Sequence, residues 1–313
     1  MIGSSFTDLL LDLNRTFGTE INIWVLGRGR NALQKRFSPD VSLHVIEGDV
    51  IGIALADLNV DYIIHAASPA HPLAYSRTPV DVMKANLLGT INMLELARRS
   101  GARVLFISSG EIYGVSNDPD SCFKESEYGY IEISNPRSCY PESKRAAETL
   151  CASYHAQFSV DTVAARLCHV YGAAITDNNS RADAQFLRNA VKHEDIVMKS
   201  PGSQVRSFCY VRDAVTGLLY VLLRGCSGEA YNVANRKSIA TIHRYAEILA
   251  AVSGVKIRNE FPSEDELKGY TKVSRAVLDA SKLEGLGWIP QYDLESGLRE
   301  TYTCLLEREQ QRQ

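Results

Sequence analysis

Ser109 and Glu111, followed about thirty residues later by Tyr140 and Lys144, are the side chains whose types and spacing suit proton and hydride chemistry. The apolar run Val104-Leu105-Phe106-Ile107 reads as a buried parallel strand. Ser108-Ser109-Gly110-Glu111 then falls at its carboxyl end, where open α/β sheets bind ligands. Tyr140-Pro141-Glu142-Ser143-Lys144 opens a helical pattern that runs to about Phe158, with Tyr140 and Lys144 one turn apart on one face. A free tyrosine loses its proton only near pH ~10, but a lysine ammonium and a cationic nicotinamide nearby favour the phenolate. Tyr140 is thus a candidate to take a proton from a substrate hydroxyl held by Ser109 while hydride leaves the same carbon. A lone Tyr-x-x-x-Lys is weak evidence in a chain with 15 tyrosines, since an exposed tyrosine on a surface helix gives the same spacing. Its place after the Ser109 strand is what carries the functional reading.

Strands and helices alternate around these residues. An amphipathic helix spans Phe6 to about Asn14, and strands follow at Ile21 to Leu26 and Leu43 to Ile46 with a short helix over Leu33 to Phe37. Next come a strand at Asp61 to Ala66, a helix from Pro79 to Ser100, the Val104 strand, the Tyr140 helix and a strand at Val160 to Leu167. This order predicts an α/β fold, a Rossmann-type doubly wound parallel sheet. After Gly172 the regularity weakens. A helix over Ala182 to His193, a strand and helix within Arg206 to Leu223, a strand at Ala230 to Val233, a helix from Ile239 to Val252 and a last helix from Leu294 are expected, with a charged stretch at Glu264 to Lys268. The expected division is a dinucleotide-binding domain over 1–172, with 206–235 packing back onto it, and a smaller substrate lobe from 173–205 and 236–313.

The composition bounds the function. With 313 residues, 45% hydrophobic, and a net charge of −3, the chain lacks the basic footprint of a nucleic-acid binder. Seven scattered cysteines show no CxxC and no metal spacing, so reduced thiols in a cytoplasmic protein are expected rather than a disulfide framework or a metal site. The longest apolar run, Val215 to Leu223, is too short to cross a bilayer.

The glycine fingerprint of dinucleotide folds is not complete in the chain. Gly27-x-Gly29 follows a strand but has no third glycine at the right place. The alternative reading makes Gly3 the last glycine of a fingerprint whose strand, about ten to fifteen residues with its turn, precedes Met1. Arg28 and Arg30 then sit where the adenosine ribose is read. Arginine there accompanies a 2′-phosphate, whereas an acidic residue binds the free hydroxyl; solvated loop charges explain the two arginines equally well.

Several longer runs carry a resemblance over nearly the whole chain. They are His65-Ala66-Ala67-Ser68-Pro69, Asn86-Leu87-Leu88-Gly89-Thr90, Asn135-Pro136-Arg137-Ser138-Cys139-Tyr140, Ala165-Arg166-Leu167, Val170-Tyr171-Gly172, Arg206-Ser207-Phe208-Cys209-Tyr210-Val211 and Leu286-Gly287-Trp288. With them the chain resembles the extended short-chain dehydrogenases/reductases of the nucleotide-sugar epimerase/dehydratase family, and most of all their UDP-glucuronate decarboxylase (UDP-xylose synthase) branch.

The resemblance implies roles position by position. Ser109, Tyr140 and Lys144 become the redox triad, and Glu111 the acidic residue near sugar carbon 5. Asp49 and Val50 lie by the adenine, and Ala66, Ala67, Ser68, Asn86 and Ser108 lie along the dinucleotide with Gly3 and Arg28. Leu167 is expected near the nicotinamide. Arg206 is expected on the substrate diphosphate, where its fork suits phosphate oxygens. His169 stands where these decarboxylases usually carry asparagine beside the sugar; a satisfied structural histidine is the other reading. The family's substrate arginine falls at Ala276, with Arg275 its neighbour. The implied cofactor is NAD, with NADP left open by the Gly27-Arg28-Gly29-Arg30 turn after the Ile21 to Leu26 strand, which lacks the acidic residue usual in the decarboxylases. The implied partner is a UDP-sugar, and the implied assembly a homodimer through the helices of Asn86 and Tyr140.

The chemistry expected is oxidation at carbon 4, loss of carbon dioxide from carbon 5 and return of the hydride. A 4,6-dehydratase needs an acid just before Glu111, and Gly110 cannot donate a proton. A 4-epimerase or 4-keto-reductase is the alternative within the fold. A cofactor-poor binding or regulatory relative is the alternative outside enzymology.

Overall fold

The computed structural model describes residues 1–310 apart from residues 56, 117, 119, 121, 177, 178, 265, 266, 268, 269, 271 and 272. The expected charged stretch at Glu264 to Lys268 therefore lies partly outside the described residues. The chain runs α1 (Ile2–Phe17), β1 (Ile23–Gly27), α2 (Arg30–Arg36), β2 (Leu43–Glu47), β3 (Tyr62–His65), α3 (Pro72–Arg77), α4 (Pro79–Ser100) and β4 (Arg103–Ser109). It continues with α5 (Cys139–Phe158), β5 (Thr162–Leu167), β6 (His169–Tyr171), α6 (Ala182–Val191), β7 (Ile196–Met198), β8 (Val205–Tyr210) and α7 (Val211–Arg224). The last elements are β9 (Ala230–Val233), β10 (Ile239–Thr241), α8 (Ile242–Ser253), β11 (Ile257–Asn259), β12 (Arg275–Ala276), α9 (Ser281–Glu284) and α10 (Leu294–Gln310).

The parallel sheet comes in two parts. β3-β4-β5-β9 form one four-stranded parallel ladder, and β1-β2 form a separate parallel pair. Each part has its own core. Val104, Leu105 and Phe106 of β4 are almost fully buried between the layers, each worth roughly 1.5–3 kcal/mol of burial, while β1 and β2 pack on Leu11, Ile23 and Phe37. A second sheet centres on β8, which pairs antiparallel with β10 and parallel with β6 and β12.

Most of the expected elements appear. The short strands β6, β7, β11 and β12 and the single turn α9 were not among those expected, and three further differences stand out. The segment expected as helix from Ile239 begins as β10, because its first residues pair with Ser207, Arg206 and Val205 of β8. The Ala182 helix stops at Val191, where His193 adopts a positive φ of 56°. And α3 was not expected. Pro72 starts it, and the imidazole of His71 accepts from Ala74 N at 3.4 Å. Gly114 is a position that glycine alone fits well: its φ is 68°, and a Cβ there would stand 2.3 Å from Tyr130 O.

Candidate active site

Ser109 ends β4 in register with Leu167 of β5. There the backbone turns into a 3-10 segment, Gly110–Tyr113, with the Ser109 hydroxyl accepting from Glu111 N at 3.2 Å. This local hydrogen bond sets Glu111 immediately off the strand end. Gly110 fills a tight spot, since a Cβ would lie 3.1 Å from Leu278 Cδ1.

The Asn-Pro-Arg-Ser-Cys-Tyr run is a capped turn that leads into α5. The Asn135 side chain accepts from Arg137 N at 3.0 Å, and Pro136 opens a short 3-10 segment that ends at Ser138. The turn delivers Arg137 to Glu111: Nη1 donates to Oε2 at 2.8 Å, with the arginine side chain only 14% exposed. The same guanidinium lies 4.7 Å from the Tyr75 ring centre. Tyr75 in turn stacks on Tyr140, with centroids 4.8 Å apart and planes at 20°. Burial opposes the Arg137 charge, but the contact with Glu111 outweighs it and raises the arginine's pKa.

Tyr140 is buried and shares a side-chain hydrogen bond with Ser109. Burial, reinforced by the negative charge of Glu111, pushes its hydroxyl up to about 12; the Ser109 bond, Arg181 and Arg137 pull the other way. Lys144 is 3% exposed, with Nζ donating to Ile107 O at 2.8 Å and lying 6.0 Å from the Tyr140 ring centre. Burial lowers its pKa to about 7 against the pull of Glu148 and Cys151. Ser109, Glu111, Tyr140 and Lys144 are thus brought together, as their spacing promised.

The other expected residues divide into groups. Gly3, in the first turn of α1, stands beside Ala66, with a built Cβ 3.6 Å from that methyl group. Asn86 of α4 donates to Ser143 Oγ of α5 at 2.8 Å. Its Oδ1, together with His65 Nε2, Ser68 Oγ and Ser108 Oγ, is a buried polar atom without a partner among the described residues. Ala67 is exposed and Leu167 buried. Arg28 and Asp49 follow the ends of β1 and β2, both exposed, with Val50 buried against the place where Gly89 of α4 passes.

Arg206 is 3% exposed, and its guanidinium donates to the carbonyls of Val205, Val273 and Ser274. Among the described residues no carboxylate pairs with it, and burial lowers its pKa to about 10. His169 opens β6 opposite Phe208. Arg275 lies on β12, beside Val205.

Tyr75, Arg137 and Arg181 belong to this site without having been singled out. Arg137 was visible inside the Asn-Pro-Arg run. Nothing in sequence spacing could pair it with Glu111, 26 residues away. On the other flank of α5, a cavity of about 820 Å³ is lined by Arg145, Glu148, Arg166 and Lys282, whose charges are already paired.

Residues 1–234 match the NAD dependent epimerase/dehydratase family. The chain is 33% identical over 302 residues to UDP-glucuronic acid decarboxylase 1 of Danio rerio, covering 96% of this chain and 69% of that protein. It is 32% identical over 303 residues to UDP-glucuronic acid decarboxylase 3 of Arabidopsis thaliana, covering 95% and 84%. Among solved structures it is similar to a dTDP-glucose 4,6-dehydratase of Streptomyces venezuelae with NAD bound, with a TM-score of 0.83, 26% identity and coverage of 98% and 94%. A UDP-glucose 4-epimerase of Thermotoga maritima shares the fold at a TM-score of 0.82 and 21% identity, covering 99% and 96%.

Proposed function

The chain belongs to the NAD dependent epimerase/dehydratase family, and within it we propose that it decarboxylates UDP-glucuronate to UDP-xylose. The observation that carries this reading is Glu111, ion-paired to Arg137 beside Tyr140, with Gly110 in front of it. The curated relatives are named for this activity and match 95% or more of the chain. Gly110 lacks the acid that a 4,6-dehydratase needs, so the likeness to such a dehydratase extends to fold and cofactor chemistry rather than to its elimination step.

The residues fit NAD along one side of the sheet. Ser68, Ser108, His65 and Asn86 hold buried polar atoms that lack partners among the described residues, as a dinucleotide's ribose and amide groups require. The first turn of α1 passes beside Ala66 at Gly3, which puts a helix N-terminus on that same side. When bound, NAD would supply the hydride acceptor and donor for the chemistry at sugar carbon 4.

The protein's own groups handle the rest. Ser109 holds the 4-hydroxyl and Tyr140 removes its proton. A ketone at carbon 4 stands β to the carboxylate on carbon 5, so carbon dioxide leaves with its bonding electrons passing into an enolate. Glu111, held by Arg137, manages the proton at carbon 5. Arg206, a buried cation without a carboxylate partner among the described residues, fits a diphosphate. The dinucleotide-binding domain over 1–172 and the substrate lobe over 173–205 and 236–313 form the two sides of this pocket in the same proposal.

Incubation with UDP-glucuronate, with carbon dioxide and UDP-xylose as readouts, tests the reading. Turnover of another nucleotide sugar without carbon dioxide sinks it in favour of an epimerase or reductase. The proposal extends to a homodimer through α4 and α5 in the cytoplasm, where the seven free cysteines stay reduced. Val80, Met83, Leu88 and Ile91 expose apolar surface along α4. Met83→Glu should shift the sedimentation of a dimer to that of a monomer.

A further inference from the structure

His169 lies two residues beyond Leu167, whose register partner is Ser109, so its imidazole belongs to the same sheet edge as the site. The ring stands edge-on to Phe208 at 5.9 Å and 66°. Arg206 precedes Phe208 by two residues and shares its face of β8. Arg181 donates Nη2 to Val170 O at 3.2 Å, the carbonyl next to His169. The charges of both guanidinium groups therefore act on one imidazole. Neither is fully neutralised: Arg206 is bound by carbonyls, and Arg181 meets Asp183 at 3.5 Å with its buried Nε lacking an acceptor.

We propose that His169 takes up a proton when an anionic sugar nucleotide settles against Arg206 and Arg181, giving the sugar pocket a positive charge and a second imidazole N–H that the free protein lacks. This rests on the nucleotide-sugar reading above and deepens it by assigning His169 a substrate-gated charge. The electrostatics agree with the geometry. Burial first, then Arg206 and Arg181, hold the imidazole's pKa well below its usual value. The other charged or titratable groups that face these arginines are Asp183, Tyr75, Tyr140, Tyr245, His71 and the Met1 amino group at Arg181, and Glu111 at Arg206. Phosphate or carboxylate oxygens arriving at the two arginines offset their charge and favour imidazolium. An asparagine at this position would offer an uncharged donor at any pH; a histidine gains its second N–H and its charge only with the anion in place. Its N–H is then aimed at a sugar oxygen that gains negative charge during the reaction.

Nitrogen-detected titration of the imidazole, assigned by its disappearance in His169→Asn, tests the proposal. The probe is UDP-glucose, whose diphosphate ester has no group titrating near neutrality. His169 should be neutral in the free protein and should titrate about one unit higher or more with the probe bound. Affinity for UDP-glucose should strengthen as pH falls, by up to about tenfold per unit, in the wild type and not in His169→Asn. In Arg181→Gln without ligand the imidazole should already titrate higher than in wild type, whereas Arg181→Lys should behave as wild type. An imidazole that stays neutral with UDP-glucose bound, or an unchanged titration in Arg181→Gln, overturns the proposal. Neither readout requires turnover, so a lack of carbon dioxide release would count against the decarboxylase reading alone.

Discussion

Arg137 Nη1 stands 2.8 Å from Glu111 Oε2 while its guanidinium lies over the Tyr75 ring, which stacks on Tyr140. One chain of contacts thus ties the carboxylate to the Tyr140 ring. Glu111→Gln should cut carbon dioxide release by about 10²–10⁴-fold, the range for losing a proton-transfer group. It should also move the pH dependence of hydride transfer. The Glu111 charge helps to raise the Tyr140 pKa, so its removal lowers that pKa and shifts the rising limb to lower pH. Stopped-flow absorbance of reduced nicotinamide across pH gives the limb; a limb displaced upward would contradict the coupling.

Lys144 carries a pH signature in stability. Its folded pKa is depressed from 10.5 to about 7 by burial. Between those values the unfolded chain binds the extra proton, so stability rises with pH through that window, and below pH ~7 the full cost of a buried ammonium is present. Lys144→Met should therefore melt higher than wild type at pH 6, and this advantage should shrink as the pH rises above about 7. Thermal melts at several pH values decide it, and the variant should have lost activity.

The triad was legible in sequence because a strand end and one helical turn fix it locally. Ser109 follows four apolar residues, and Tyr140 and Lys144 lie on one face of one helix. The partners that tune the triad were not legible. Tyr75 reaches Tyr140 from α3, a helix of six residues whose start depends on the imidazole of His71. Arg137 finds Glu111 only once a capped turn has folded. The division of the parallel sheet was hidden too, since alternating strands and helices give strand order no signature. The second sheet depends on strands of two or three residues, such as β6 and β12, too short for any periodicity.

Arg166 and Glu148 form a buried pair behind the site, with Arg166 3% exposed and Nη2 to Oε2 at 2.8 Å. Tyr113 and Tyr128 take further hydrogen bonds from the same guanidinium. Glu148→Ala should cost about 3–5 kcal/mol, because it leaves a buried cation uncompensated. Denaturant unfolding measures it. Glu148→Gln, which keeps the acceptor oxygen, should cost less.

Gly114→Ala tests the turn that follows Glu111. The positive φ and the 2.3 Å approach to Tyr130 O leave no room for a methyl group without moving the backbone. A loss of about 1–3 kcal/mol is expected from strain, with a fall in kcat as Glu111 is displaced. Equal stability in the two proteins would show that the loop yields freely.

The separate β1-β2 pair has a dynamic consequence. It rests on Leu11, Ile23 and Phe37, whereas β3-β4-β5-β9 rest on far larger clusters. A unit with so small a core and its own ladder can open while the rest stays closed. Amide protons of Val25 and Val45 should then exchange with solvent well before those of Phe106 and Ala164. The end of the molecule proposed to hold adenosine would breathe at a rate of its own, and a dinucleotide bridging both parts would act as the clasp that slows it.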